Sequence, residues 1–208
     1  MATLVRRTRR RPAAEPVETR TRIVEAAIEL FLRGSYAAVG VEAICQAADV
    51  RKGSFYHFFP SKADLAVAAL DHHWQDRRRT FDRLFSPLTP PLDRLRLYFE
   101  DVYRRQVERQ HRTGFVCGCL YFNIGAEVSA QEPMICQAVQ RIIGEYCAYF
   151  ESALRDANRM GLATVADVPA RARELFTYLE GMLTCARIRD DLAMLRTLPD
   201  GALALARA

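Results

Sequence analysis

Three groups of side chains in this sequence have types and spacings that could do chemistry. The first is the pair Cys117 and Cys119 in the run FVCGCLYFN. A thiolate there would act as a nucleophile or redox centre if its pKa were lowered and the site were open. The C-x-C spacing is shorter than zinc sites usually show, so no metal is expected. The second group is Lys52, Gly53, Ser54, Tyr56, His57 and Lys62 in RKGSFYHFFPSK. It brings cations, hydroxyls and an imidazole together as donors to phosphate oxygens or base edges, with glycine allowing close approach. The third, His72, His73 and Glu100, is spread along separate segments without a second paired histidine, and no metal site is expected from it. No nucleophile elbow, phosphate loop or paired metal motif occurs, so no catalytic residue and no cofactor are expected and an enzyme finds little support.

The elements that must position the second group are two short helices around a tight turn. Val41, Ile44, Cys45 and Ala48 recur at the spacing of one helix face. After Asp49 and Val50 a second helix begins at Arg51 or Lys52. Phe55 and Phe58 then turn inward and leave Ser54, Tyr56 and His57 outward beside Lys52. This is the pattern of a helix-turn-helix offering one helix to a major groove. Ser61 and Asp64 form an S-x-x-D cap that opens the next helix, and Pro60 ends the one before.

The segment from Thr21 to Leu70 resembles the N-terminal domain of TetR-family transcriptional regulators. The resemblance rests on an amphipathic first helix, Gly34 and Tyr36 after it, then Ile44, Ala47, Ala48, Val50, Gly53, Tyr56, Phe59, Ser61, Lys62 and Leu65 at the family's spacing. Two positions depart from the pattern. Asp49 stands where the family has glycine, and aspartate tolerates a left-handed turn; Gly40 stands where a hydroxyl cap is common, at small cost. The resemblance implies that Lys52, Gly53, Ser54, Tyr56, His57 and Lys62 lie on the face that meets a double-stranded DNA operator. It also implies an all-α fold, with a helix-turn-helix domain joined by the fourth helix to a larger effector-binding and dimerisation domain, and a repressor that leaves its operator when a small effector binds. The expected division is a basic, disordered arm over 1–18, the DNA-binding domain over 19–65 and the effector domain over 66–208.

Charge is uneven. Seven arginines against Glu15 and Glu18 give residues 1–22 a net charge of +5, equal to the formal charge of the whole chain. Such an arm beside a reading head strengthens DNA binding by counterion release. Lys52 and Lys62 are the only lysines, and both fall in the DNA-facing segment. Half the residues are hydrophobic, enough for a core. The longest charge-free stretch, Thr113 to Ala126, is too short and too interrupted to span a bilayer. Without an apolar leader the chain is expected in the cytoplasm, with its six cysteines as thiols.

Beyond the head the pattern stays helical. The first helix is expected over about 19–33, stopped by Gly34, and the fourth ends near 86 before Pro87, Pro90 and Pro91. The fifth starts at Pro91, a short apolar helix spans about 119–129, and the seventh runs from Pro133 to Gly161. Asp167 and Pro169 begin the eighth, and a last helix near 191–206 is expected to break at Pro199 and Gly201. By resemblance the last two helices pair with their copies in a homodimer, Gly181 and Ala186 offering close packing.

Tyr98, Phe99, Tyr103, Phe115, Cys119, Tyr121, Phe122, Tyr146, Phe150 and Tyr178 are candidates to line a pocket for a hydrophobic or aromatic effector. Arginines of the C-terminal part are expected at the surface, and Cys45, Cys136, Cys147 and Cys185 on apolar faces as inert thiols. Gly118-Cys119-Leu120 resembles the segment of family members that sense electrophiles or oxidants through a cysteine. Cys119 as the trigger is therefore the alternative to a diffusible ligand.

Overall fold

The computed structural model describes residues 16–128 and 131–207. The basic arm expected over 1–18 lies almost wholly outside the described residues. Among these there are nine α-helices, one 3-10 segment and no strand. They are α1 (Pro16–Arg33), α2 (Val41–Ala47), α3 (Lys52–Phe58), α4 (Lys62–Leu84), α5 (Pro91–Thr113), α6 (Leu120–Val128), α7 (Pro133–Arg159), α8 (Val168–Arg189) and α9 (Leu198–Arg207), with the 3-10 segment over Leu192–Thr197. No helix among the described residues is long and apolar enough to cross a membrane.

Local chemistry sets the boundaries. Ser61 Oγ accepts the Asp64 amide at 3.1 Å and opens α4. Asp167 does the same for α8, through the Ala170 amide at 2.9 Å. Pro91 and Pro133 occupy first turns, where a missing N–H costs nothing. Asp49 takes a φ of 52° and lets the chain reverse between α2 and α3. Gly34 follows α1, but it is absent from the positive-φ positions, so the helix ends there without a left-handed residue. The C-terminal break falls between Thr197 and Leu198. Pro199 fits the first turn of α9, and Gly201 lies inside that helix, at a position where a Cβ would meet the Tyr178 hydroxyl.

α1, α2 and α3 close a small core of Ile23, Phe31, Ile44 and Phe55, all 0% exposed, and α1 packs on α4. In the body, α5 lies along α9, α7 pairs with α8 and α4 leans on α7. The middle of the body is aromatic: Phe81 stacks on Tyr98 at 4.5 Å and on Tyr149 at 4.7 Å. Trp74, 3% exposed, lies 4.8 Å from Tyr146 and 6.3 Å from Tyr121, and its indole N–H donates to Glu145 at 2.7 Å. Aromatic pairs of this geometry contribute about 0.5–1.5 kcal/mol each beyond burial.

Three expectations change. Arg94 is only 4% exposed, because its guanidinium ties the proline-rich turn before α5 (Thr89 O at 2.8 Å) to Asp156 of α7 at 2.6 Å. Ala186 is buried within the subunit, whereas Gly181 is exposed with open space above it. Cys185, expected on an apolar face, is also exposed, since it lies on the outer side of α8.

Candidate DNA-reading head and effector cavity

In the head the spacing of α3 separates core from surface residue by residue. Phe55 and Phe59 are buried, while Lys52, Gly53, Tyr56 and His57 are exposed and Ser54 is half-buried. Tyr56 is 48% exposed and packs edge-on against Phe55 at 5.1 Å, which fixes its ring while leaving the hydroxyl outward. Lys52 forms a surface ion pair with Glu42 at 2.5 Å. Such a pair contributes little to stability and holds the ammonium at the start of α3.

Lys62 is placed differently from its companions. Its ammonium donates to the carbonyls of Tyr36 at 3.0 Å and Val39 at 3.3 Å, and it sits 4.3 Å above the Tyr36 ring. Two of its three N–H donors thus brace the loop between α1 and α2. Burial, with Glu132 and Glu127 nearby, pushes the Tyr36 hydroxyl up to about 12. Arg20 lies over the Phe59 ring at 5.2 Å and ties α1 to the end of α3.

The same loop is gripped from the body. Glu127, in the last turn of α6, accepts the Tyr36 amide at 2.9 Å and the Ala37 amide at 2.8 Å. Arg187 of α8 donates to the Gly34 carbonyl at 3.2 Å. Arg187 also lies against Gly118, whose φ of +72° brings the chain from α5 into α6. Asp190 accepts the Val116 amide at 2.8 Å and fixes the other side of that turn.

Behind these contacts lies a partly open cavity of about 60 Å³, room for roughly four to six water-sized groups. α4 contributes His73, Arg77 and Phe81; α5 contributes Tyr98, Gln106 and Arg109. The start of α6, α7 and α8 contribute Cys119, Tyr121, Tyr146 and Glu180. Of the aromatic and sulfur candidates from the sequence, Tyr98, Cys119, Tyr121 and Tyr146 line it. The rest are elsewhere. Phe99 and Phe150 stack on each other in the core at 5.9 Å. Tyr178 donates to Thr197 O and Tyr103 accepts from Arg196. Phe115 is partly buried against the core, and Phe122, 38% exposed, borders a surface groove beside α1.

The wall is electrically biased. Burial, then Arg109 and Arg77, push His73 down to about 3, so it is neutral; its Nδ1 lies 2.6 Å from the Tyr121 hydroxyl. Arg109 is lowered by burial, and among the described residues it has no ion pair. Its NH1 reaches only the Gly118 carbonyl, at 3.4 Å. Arg105 is compensated by Asp101. Glu180, 2% exposed, is pushed up to about 7 by burial. Burial and Glu180 together push the half-buried Cys119 thiol well above its usual range, the reverse of what a reactive cysteine needs. Burial also raises Tyr98, Tyr121 and Tyr146, which stay protonated.

Sequence reasoning missed His73, Arg77, Gln106, Arg109 and Glu180. A signal for part of this existed: Tyr98, Val102, Arg105, Gln106 and Arg109 continue one face of α5, where the apolar stripe turns polar while still pointing inward.

A helix-turn-helix whose outward face carries cations and hydroxyls, set on a helical body with a partly open cavity, is the arrangement of a ligand-responsive DNA-binding regulator. Residues 23–69 match the family model of bacterial regulatory proteins, tetR family. Residues 91–199, more than half the chain, match that of the tetracyclin repressor-like C-terminal domain. The chain belongs to the TetR family of transcriptional regulators. It is 31% identical over 185 residues to the transcriptional regulator AcuR of Cereibacter sphaeroides, covering 88% of this chain and 83% of that protein. The crystal structure of Escherichia coli NemR in its reduced form superposes with a TM-score of 0.75 at 25% identity, over 91% of this chain and 95% of that one. A TetR-family regulator from Agrobacterium tumefaciens gives a TM-score of 0.84 at 20% identity, over 93% and 100% of the two chains, a likeness of fold.

Proposed function

We propose that this protein is a homodimeric repressor whose Lys52, Gly53, Ser54, Tyr56 and His57 read a palindromic operator, and that a small effector in the body cavity releases it. Lys62 braces the loop behind the reading helix and turns its remaining donor toward a phosphate. The observation that carries the reading is the continuity of α4, which is capped in the head by Ser61 and walls the cavity twelve residues and more later with His73, Arg77 and Phe81. A ligand pressing on that wall bears on the same rod that carries the head. A second route runs through α6, which begins at the cavity with Leu120 and Tyr121 and ends at Glu127 on the α1–α2 loop.

Thr177, Gly181, Cys185 and Ile188 form an exposed, largely uncharged edge of α8, Ile188 being 78% exposed. This edge supports pairing with a second copy. In such a dimer the two reading helices meet half-sites about one helical turn, roughly 34 Å, apart. Effector and operator then weaken each other's binding by one common factor.

The raised Cys119 thiol favours a reversible ligand over oxidation of Cys119 as the trigger. A Cys119→Ser protein that no longer responds to an oxidant, while wild type does, would restore the sensor reading. The main test is selection of DNA from a random pool by the purified protein. A pseudo-palindrome with half-sites one turn apart is expected; no enrichment overturns the proposal.

A further inference from the structure

Resting on the effector reading above, we infer that the cavity takes a short-chain hydroxycarboxylate: a small oxyanion that also carries a hydroxyl hydrogen-bond donor. Among the described residues only four buried side-chain polar atoms lack a hydrogen-bond partner, and three of them line this one cavity. They are Arg77 Nε, Gln106 Oε1 and Glu180 Oε2. Gln106 and Glu180 are 4% and 2% exposed, and groups so deeply buried are almost always satisfied. A buried polar group left without a partner is costly, so a molecule that supplies the partners gains affinity.

The orphans specify what the molecule carries. Arg77 Nε is a donor with no acceptor, and Arg109 brings a positive charge without an ion pair among the described residues. Arg105 is not equivalent, since Asp101 already meets it. Arg77 is paired with Asp76 through Nη2 and leaves only Nε without a partner; burial first, then Arg109 and Arg77, hold His73 neutral. A carboxylate answers both arginines, in the fork geometry that guanidinium favours. Gln106 Oε1 is an acceptor by nature and its amide N–H is spent on the Gly118 carbonyl at 3.0 Å. Glu180 offers a second acceptor oxygen. These two call for a donor on the ligand, which a hydroxyl provides and a simple fatty acid does not. The rest of the wall is apolar or aromatic, with Phe81, Tyr146 and Leu183. The cavity of about 60 Å³ admits only a handful of non-hydrogen atoms.

The test is calorimetric titration of the full-length protein with three matched probes: 3-hydroxybutyrate, butyrate and butane-1,3-diol. The hydroxy acid is expected to bind about tenfold or more tightly than either relative, because each relative leaves one set of buried groups unpaired. Arg109→Gln should abolish the preference for the acid over the diol. Gln106→Leu should remove most of the preference over butyrate while keeping that over the diol. Circular dichroism and retained operator binding show that each variant is folded. Equal binding of acid and diol, or no binding of the hydroxy acid, overturns the inference. The selected operator DNA keeps the two proposals separable. Release of that DNA by some other ligand, with no binding of the hydroxy acid, leaves the repressor reading intact, whereas failure to select any DNA removes the reading on which this one rests.

Discussion

In the head, function stands outside a filled core: Phe55 is 0% exposed and its neighbour Tyr56 is 48% exposed. In the body the order is inverted, and the groups suited to bind a ligand, Glu180 and Gln106 above all, are the buried ones. The difference separates two costs. A side chain on the surface can be chosen for DNA with almost no effect on folding. A carboxylate or a guanidinium inside the body is desolvated whether or not a ligand is present, so its binding role is carried at the expense of stability. The head is built to keep one shape, and the body to be completed.

The sharpest way to break this contrast lies in the head's core. Phe55→Ala should destabilise the head by about 3–5 kcal/mol and lose operator binding with the fold, read by chemical denaturation followed by circular dichroism. If Phe55→Ala folds normally, the head is not organised around that ring.

Glu180 gives the corresponding measurement in the body. Its folded carboxyl titrates near 7 against an ordinary value of 4.5. The folded state therefore holds the proton more tightly than the unfolded one. Its contribution to stability is complete below the unfolded value and is lost as pH rises through about 7, by up to about 3 kcal/mol. Denaturation midpoints measured between about pH 5 and about pH 8 should fall in the wild type and flatten in Glu180→Gln. A parallel slope in both proteins would show that Glu180 is not desolvated.

Tyr56→Ala tests the other half. Operator affinity should drop by about 1–3 kcal/mol, roughly fivefold to 150-fold, while the denaturation midpoint stays within about 0.5 kcal/mol of wild type. Fluorescence anisotropy with labelled operator and a parallel melt measure both; a change in stability as large as the change in affinity would place Tyr56 in the core.

The smallest effect is expected where the two regions meet. Glu127→Ala removes the acceptor for the Tyr36 and Ala37 amides. Effector-induced loss of operator affinity should shrink by about 1 kcal/mol, or about fivefold, with both separate affinities nearly kept. An unchanged coupling would confine the signal to α4.

The head was legible because its evidence is contiguous. Ser61 caps Asp64, Asp49 takes the left-handed turn, and α3 divides Phe55 from Tyr56 within one helix turn, so neighbouring letters carry the geometry. The cavity draws single residues from α4, α5, α6, α7 and α8. No spacing along the chain joins His73 to Glu180. Aromatic residues were therefore ranked by type, and most of them, Phe99 and Phe150 among them, proved to be packing. Lys62 was legible as part of the head, but its engagement with two loop carbonyls depends on a segment more than twenty residues earlier. At the C-terminal segment Tyr178 donates to Thr197 O and occupies the gap that Gly201 leaves.

Trp74 is the single tryptophan of the chain, and it touches both Tyr146 and Tyr121 of the cavity wall while its indole N–H is held by Glu145. The protein thus carries one tryptophan beside its eight tyrosines, one residue beyond His73 and a ring's distance from the cavity. Its emission reports on cavity occupancy without a label, and because it rides on α4, the same signal follows the rod that leads to the DNA.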